Sequence, residues 1–399
     1  MTTLGQMRRW NGPALFSYGF RPFFLFGTIW AALAMVLWIM MLADFLDLPT
    51  RFDPVSWHAH EFLFGYLGAI IAGFLLTAVP NWTGRLPVVG WPLAGLFALW
   101  VAGRGAIALS ALLPFGIPQM IDLLFPVVLG AMILREIIAG KNWRNLGVLF
   151  LLGIFTLANL VFHIEAARGE VAAQGLGLRL GIAAVLVMMS LIGGRIVPSF
   201  TRNWLVKRGQ TDLPTPPMQR FDKVTLLATI VALAIWVILP DAPQTGAALV
   251  GVGILHAARL LRWKGYRTFS EPLLWVLHLG YLFVPLGALT EGFALIRPDL
   301  LLPGSAQHLW MAGAFGLMTL AVMTRATLGH TGQELRAGAG SVVMFMGVIG
   351  SVVIRLSAGI WPDIAMVLYT VSAILWIGAF AGFGGLYGAC LLKAKDTRA

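Results

Sequence analysis

The sequence predicts an all-α polytopic integral membrane protein, a bundle of about 12 transmembrane helices, and three observations lead there. Hydrophobic residues make up 59% of the 399 residues, only 11% are charged, and the mean hydropathy is +0.84. Soluble domains carry about 25% charged and 45–50% apolar residues. The apolar residues fall in runs of about 20, the length that crosses a bilayer as a helix. The basic residues collect in short loops between those runs, so the net charge of +11 is an orientation signal and not a nucleic-acid footprint.

In chain order the expected spans are 23–42, 57–79, 91–111, 118–139, 146–164, 176–197, 224–239, 245–261, 272–291, 305–325, 339–358 and 364–391. The segment Met1 to Arg21 carries Arg8, Arg9 and Arg21 and no acid, and Asp44, Asp47 and Asp53 follow the first span. Without a small-residue cleavage site, this reads as a retained first helix and not a signal peptide. The run 224–239 is short, and 245–261 ends in basic residues. No loop is long enough to be a soluble domain, so residues 1–399 are read as a single integral membrane domain. The longest loop, 198–223, holds Pro198, Pro214, Pro216 and Pro217 with Arg202, Lys207 and Arg208. It offers a basic, proline-rich cytoplasmic joint between six-helix halves, 1–200 and 221–399. No internal repeat is strong enough to relate those halves.

Loop charge tests the count. Alternate loops hold Arg8, Arg9 and Arg21; Arg85; Arg135, Lys141 and Arg144; the cluster from Arg195 to Lys223; Arg259, Arg262, Lys264 and Arg267; Arg325 and Arg336; and Lys393, Lys395 and Arg398. The opposite loops hold only Arg51, Arg168, Arg179, Arg297 and Arg355, and Arg104 lies inside a span. A wrong span count would scramble this partition, so both termini are expected in the cytoplasm.

An imidazole inside a bilayer must find a partner, a proton path or a metal. Orientation sorts the seven histidines into layers. His58, His60, His163 and His308 fall at the outer ends of their helices. His256 and His278 fall near mid-membrane or in the cytoplasmic half, and His330 follows the tenth span on the cytoplasmic side. All seven are candidate cofactor ligands, with His58, His60, His308 and His278 the candidates for a metal ion. Imidazole suits haem iron, copper and zinc alike, so residue type does not choose the metal. The single cysteine, Cys390, rules out a disulfide, a thiolate cluster and covalently attached c-type haem. Any haem would be held non-covalently, through side-chain ligands.

The densest stretch is Trp57-His58-Ala59-His60-Glu61. On a regular helix i and i+3 share a face, so His58 and Glu61 are expected to act together while His60 looks elsewhere. Glu61 would orient an imidazole through its second N–H. The competing reading is an aromatic-belt segment facing headgroups, which accounts for Trp57 but not for two histidines and a carboxylate. His163 with Glu165, and Gln307 with His308, share the outer layer. For His256 and His278 the alternative is a core histidine bonded to backbone. Arg195 and Arg325 are candidates for anionic groups such as haem propionates, or for anchoring to lipid phosphate. Arg104 is expected to pair with Asp122 or Glu136 on the fourth span, a role that locks two helices. Gly65-Tyr66-Leu67-Gly68, Gly313-Ala314-Phe315-Gly316 and Gly382-Phe383-Gly384-Gly385 read as close helix contacts. No phosphate-binding loop, hydrolase triad or soluble zinc motif is present, and Asn81-Trp82-Thr83 falls on the cytoplasmic side, where it cannot be glycosylated.

These stretches resemble one family, NnrS. The resemblance runs through Gly19-Phe20-Arg21-Pro22-Phe23-Phe24, the Trp57–Glu61 segment, Ala78-Val79-Pro80-Asn81-Trp82-Thr83-Gly84 and Gly193-Gly194-Arg195-Ile196-Val197-Pro198-Ser199-Phe200-Thr201. It continues in His278-Leu279-Gly280-Tyr281, Leu320-Ala321-Val322-Met323-Thr324-Arg325 and Leu328-Gly329-His330-Thr331-Gly332. Phe62 and Gln333 depart from the pattern without removing a candidate ligand. The resemblance implies a bacterial inner-membrane protein of the nitric oxide response that holds haem b and copper and protects against nitrosative stress. Its expected partners are membrane lipid, nitric oxide as a small ligand and an electron-donor protein, with no nucleic acid. Catalysis is left open. A nitric oxide reductase would need electrons from that donor and proton relays such as Glu61, Glu165 or Glu291. A haem or metal transporter, and a non-catalytic sensor, are the other readings.

Overall fold

The computed structural model describes residues 10–299 and 303–393. Arg8, Arg9, Lys395 and Arg398, which entered the charge argument, lie outside the described residues, as do both chain ends. Among the described residues the protein is all helix, and twelve helices are long and apolar enough to cross a membrane. These are α1 (Phe20–Leu42), α2 (Pro54–Thr83), α3 (Trp91–Ala108), α4 (Ile117–Ala139), α5 (Trp143–Ala167) and α6 (Leu176–Lys207). They continue as α7 (Arg220–Ile238), α8 (Pro243–Arg267), α9 (Pro272–Ile296), α10 (Ala306–Thr331), α11 (Ala339–Ser357) and α12 (Pro362–Leu392). The protein is a polytopic membrane helix bundle, as its sequence predicts.

Local chemistry starts and stops these helices. Asp53 caps α2, its Oδ1 accepting from the N–H groups of Val55 and Ser56 at 2.9 Å, with Pro54 at the first helical position. Glu165 near the end of α5 caps the next helix from outside, accepting from the N–H groups of Leu176 and Gly177 at 2.6 and 3.1 Å. Gln219 and Asp222 form a capping box at the head of α7. α6 runs through Pro198 to Lys207, well past the expected end at 197. On either side of the proline side-chain hydroxyls bond backbone carbonyls: Ser199 Oγ donates to Arg195 O and Thr201 Oγ to Val197 O.

Backbone contacts divide the chain into two compact units. The first comprises Met1–Gly181, Ala326–Gln333 and Phe380–Ala399; the second comprises Ile182–Arg325 and Glu334–Ala379. In the first unit Phe20, Phe23, Phe24, Trp57 and Phe162 are fully buried. Ile29, Leu33, Val36 and Met40 of α1 are exposed at helical spacing, the stripe a lipid-facing helix presents. In the second unit Trp236, Trp263, Tyr281 and Trp310 fill the interior. There α8 and α9 approach backbone to backbone: a Cβ on Gly246 would lie 2.6 Å from Gly292 O, and one on Gly292 the same distance from Gly246 O. Small residues at such crossings let helices gain van der Waals contact that lipid does not supply.

One relation was not evident in the sequence read alone. His60 and His308 are separated by the same interval as Gly65 and Gly313, Gly68 and Gly316, and Thr83-Gly84 and Thr331-Gly332. Each histidine immediately precedes a π-helical turn, Glu61–Tyr66 in α2 and Leu309–Leu317 in α10. Gly84 and Gly332, just past the two helix ends, both take positive φ, 69° and 79°. Trp91 and Ala339, which open α3 and α11, keep the interval, and so do Ile117 and Ala365, where the regular α-helix of α4 and α12 begins. The helix triplets α2–α4 and α10–α12 therefore repeat one another in register. Their charges do not repeat: Glu61, Arg104 and Asp122 correspond to Leu309, Val352 and Thr370.

Candidate metal centre

The π turn at the head of α2 sets the site. Glu61 closes the regular first turns, its N–H bonded to His58 O, and opens the π turn that follows. It is His60 that bonds Glu61, Nδ1 to Oε1 at 3.0 Å, with both side chains fully buried. Glu61 is also drawn inward by the Arg104 guanidinium of α3, whose Nη1 donates to Oε1 at 2.7 Å, and by Trp30 of α1, whose Nε1 donates to Oε2 at 2.8 Å. Gly65 makes this possible, since a Cβ there would lie 2.6 Å from Arg104 Nη1 and 2.9 Å from Glu61 Oε2. Its carbonyl, in the irregular turn, accepts from Trp100 Nε1 at 2.9 Å.

The second carboxylate is Asp122 of α4. Its Oδ1 accepts from Arg104 Nη2, which fulfils one of the two expected pairings. The other, Glu136, is taken instead by Arg85 at 2.5 Å and Arg135 at 2.8 Å. Asp122 Oδ2 is where the cluster converges. It lies 3.1 Å from His163 Nε2, 3.3 Å from His60 Nε2 and 2.7 Å from Asn159 Nδ2, which donates to it. Asn159 Oδ1 in turn faces His60 Nε2 at 3.1 Å. The imidazole rings of His60 and His163 stand 5.0 Å apart, and Phe52 lies over both at 5.2 and 5.8 Å.

Charge bookkeeping decides what this arrangement can hold. Glu61 and Asp122 bring two negative charges and Arg104 one positive charge, all buried. With neutral imidazoles the cluster is left one charge negative, and an unbalanced buried charge is costly. Both nitrogens of His60 face oxygen acceptors, so a cation belongs at Nε2, as a proton or as a metal ion in its place. Ligand atoms of His60, Asp122 and His163 lie within 4.8 Å of one another, a geometry that suits one ion. Two imidazole nitrogens and a carboxylate match copper(II), zinc or iron(II). Glu61 would then hold His60 from the far nitrogen, as carboxylates do for metal-bound histidine.

The other predicted residues lie elsewhere. His58 stacks on Trp38 with ring centres 4.0 Å apart and touches Phe62 at 4.5 Å. His330 lies against Tyr18 and Phe20 at 5.7 and 5.5 Å. In the second unit His256 sits in a different web. Thr229 Oγ donates to Thr225 O, so it accepts from His256 Nε2 at 2.8 Å and leaves Nδ1 to accept from Tyr281 O–H at 2.9 Å. Arg259 donates to Asp222 Oδ1 at 2.7 Å and to Tyr281 Oη and Ser190 O at 2.9 Å. His278 Nε2 meets Thr201 Oγ at 2.8 Å, and its Nδ1 is buried beside Gly265. The Arg325 guanidinium lies 4.1 Å over the Phe200 ring, and Arg195 is half-buried on α6. His308 is half-buried at the head of the α10 π turn, beside Gln307, which donates to Glu291 Oε1 at 3.1 Å. Sequence reasoning missed Asn159. The signal was present, because Asn159 and His163 are four apart and share one face of α5.

No curated protein matches this chain. The model of the family described as NnrS protein matches residues 14–395, nearly the whole length, and the chain belongs to the NnrS family.

Proposed function

We propose that this protein is an inner-membrane metalloprotein of the nitric oxide response, with a copper ion held by His60, Asp122 and His163. The observation that carries the metal reading is the convergence of two imidazole nitrogens and one carboxylate in a buried cluster one negative charge short of balance. The nitric oxide role and the choice of copper rest on the family resemblance. A bound copper ion would offer nitric oxide a coordination site and a one-electron redox couple. The chain's own residues fix the site. Glu61 orients His60, Arg104 holds Glu61 and Asp122 in place, and Asn159 directs a lone pair of Asp122. Both termini lie in the cytoplasm on this reading, as the loop charges require.

Haem does not fit at this cluster. The rings of His60 and His163 close on Asp122, and the adjoining cavity is only about 10 Å³, far too small for a macrocycle. His256 sits in a charge-balanced web, its Nε2 bonded to Thr229 and its Nδ1 to Tyr281, so nothing beside it calls for a metal. The expectation of haem stands on the resemblance, with His58, His278, His308 and His330 as the remaining rings and Arg195 and Arg325 as propionate partners.

Metal analysis of purified protein tests the proposal: about one copper per chain is expected, lost in His60→Ala and His163→Ala and kept in His58→Ala. Protein prepared with copper in excess that still carries no metal would sink the metal reading. Optical spectra with and without a reductant decide haem through the Soret band. Nitric oxide uptake by the reduced protein then separates an enzyme, fed by an electron donor, from a binder, a sensor or a carrier.

A second reading has its own support. Every Asp122 oxygen already accepts hydrogen bonds, so the cluster could serve as a proton-balanced knot between α2, α3, α4 and α5. Unchanged unfolding in the presence of a strong chelator would favour it.

A further inference from the structure

The three donor residues of the candidate metal centre are closed off. His60 is fully buried, and Asp122 and His163 are 2% and 3% exposed, so an ion can reach them only when a side chain moves aside. On the side of the α1–α2 loop that side chain is Phe52. The loop passes Arg51 and Asp53, both exposed, with Phe52 buried between them. A surface backbone that turns one side chain inward uses it as a plug. The Phe52 ring lies over His163 at 5.8 Å, within 22° of parallel, and over His60 at 5.2 Å. Phe162 and Phe64 also touch His60, but they lie within α5 and α2. We infer that Phe52 is the gate through which a metal ion enters and leaves the His60–Asp122–His163 site. The ion then comes from the side of the membrane that carries the α1–α2 loop, the outer side on the loop-charge reading. The inference rests on the metal reading of that site.

Two features of the loop suit it to this work. The first is that its backbone is pinned on both sides of Phe52. Ahead of it, Ala111 N donates to Pro49 O at 2.9 Å and Arg51 N to Ser110 Oγ at 2.9 Å. The Arg51 guanidinium donates to Ser110 O and Leu113 O at 2.9 and 3.0 Å. Behind it, Asp53 caps α2. With the chain held at both ends, opening falls to the ring itself, by a change of side-chain rotamer. The second feature is charge. Asp44, Asp47 and Asp53 are exposed, and Arg51, the one basic residue of 43–53, gives its guanidinium to carbonyl oxygens. The rim of the gate is therefore acidic, which raises the local concentration of cations.

A gate has a kinetic signature that a packing residue lacks. It sets the barrier and leaves the end states alone, so removing it speeds entry and exit by the same factor. Metal-stripped full-length protein in detergent is mixed with copper(II), and uptake is followed by quenching of tryptophan fluorescence, Trp30 being bonded to Glu61 at the site. Transfer to excess chelator gives the release rate, and His60→Ala supplies the blank. Phe52→Ala should raise both rates about tenfold and leave their ratio, the affinity, within about threefold. Phe52→Leu keeps an apolar side chain that cannot cover both rings, and should raise both rates by less. Unchanged rates in both variants, or faster release with uptake unchanged, would reduce Phe52 to packing and overturn the gate. Diethyl pyrocarbonate reads the opening without a metal. On metal-free protein it should modify His163 faster in Phe52→Ala than in the wild type, with His256 unchanged as the control. Faster labelling in protein that takes up no copper discards the metal reading and keeps the opening at Phe52. Equal labelling of His163 in the two proteins would overturn the opening itself.

Discussion

Each of the two units buries a cluster of histidine, arginine and aspartate, and the two clusters differ in charge. Around Arg259 one guanidinium meets one carboxylate, Asp222, and the histidine beside them exchanges hydrogen bonds with neutral hydroxyls. That web is balanced as it stands. Around Arg104 one guanidinium meets two carboxylates, and two imidazole nitrogens point at the same oxygen of Asp122. That cluster needs one more positive charge. Ligand-type residues in a buried place do not by themselves call for a metal; converging lone pairs with a charge deficit call for a cation.

The sharpest way to break this comparison is to remove the central carboxylate from each cluster. Asp222→Asn strands a fully buried Arg259 and should destabilise the protein by about 3–5 kcal/mol, the usual cost of splitting a buried pair. Its metal content per folded chain should not change. Asp122→Asn should do the reverse. It leaves Arg104 balanced by Glu61, so the loss is confined to hydrogen bonds, about 1–3 kcal/mol. The metal, however, should be gone. Unfolding in detergent and elemental analysis on the folded fraction read both quantities. If Asp222→Asn sheds metal while folded, or Asp122→Asn is the more damaging to stability in metal-free protein, the charge argument is wrong.

A smaller effect comes from the glycines of α2. Gly65→Ala drives a methyl into Arg104 and Glu61 and should cost about 1–3 kcal/mol, the range for overpacking a filled site. It should also lower metal occupancy by displacing Glu61 from His60. Unfolding midpoints compared between Gly65→Ala and Gly68→Ala, where a Cβ meets only the Phe155 and Phe125 rings at 3.8 and 3.9 Å, check this, and two equal midpoints would mean that crowding at Gly65 costs nothing.

How much of this was legible in the sequence follows from what each feature depends on. The helices were legible because bilayer thickness and hydropathy act locally, and a run such as that of α1 needs no partner to be recognised. That Arg104 would pair with Asp122 or Glu136 of α4 was legible too, because a guanidinium in a span must find an acid at its own depth, but its second partner, Glu61, was not. The His60–Glu61 bond was not, since it depends on Arg104 and Trp30 drawing the Glu61 carboxylate inward from other helices. Asn159 went unread because an amide is a common residue whose role appears only when His60 and Asp122 are brought to it from other helices. The α2–α4 and α10–α12 repeat was hidden by its own divergence. Where one copy has Glu61, Arg104 and Asp122, the other has Leu309, Val352 and Thr370. That difference is informative, because all three of those residues build the cluster. His60 and His308 both remain, and His60 stands beside both carboxylates of the cluster.

The comparison also extends within a single helix, to an ion pair that should hardly matter. α8 carries Arg259, buried against Asp222, and near its end Lys264 and Arg267, which meet Asp212 in the loop after α6. Asp212 is largely exposed, and the hydrogen-bonded Lys264 ammonium holds its carboxyl below the usual carboxylate value. A carboxyl lowered in the folded state stabilises that state above its unfolded value, about pH 4, and the contribution disappears as pH falls through the lowered folded value. Being exposed, it is also screened by salt, unlike the Arg259 pair. Asp212→Asn should therefore shift the unfolding midpoint slightly at neutral pH and low ionic strength, and not at all in about 1 M salt. The gap between wild type and Asp222→Asn should survive the same salt. An Asp212→Asn shift as large as that of Asp222→Asn, or one that salt leaves untouched, would mean that burial is not what separates these two ion pairs.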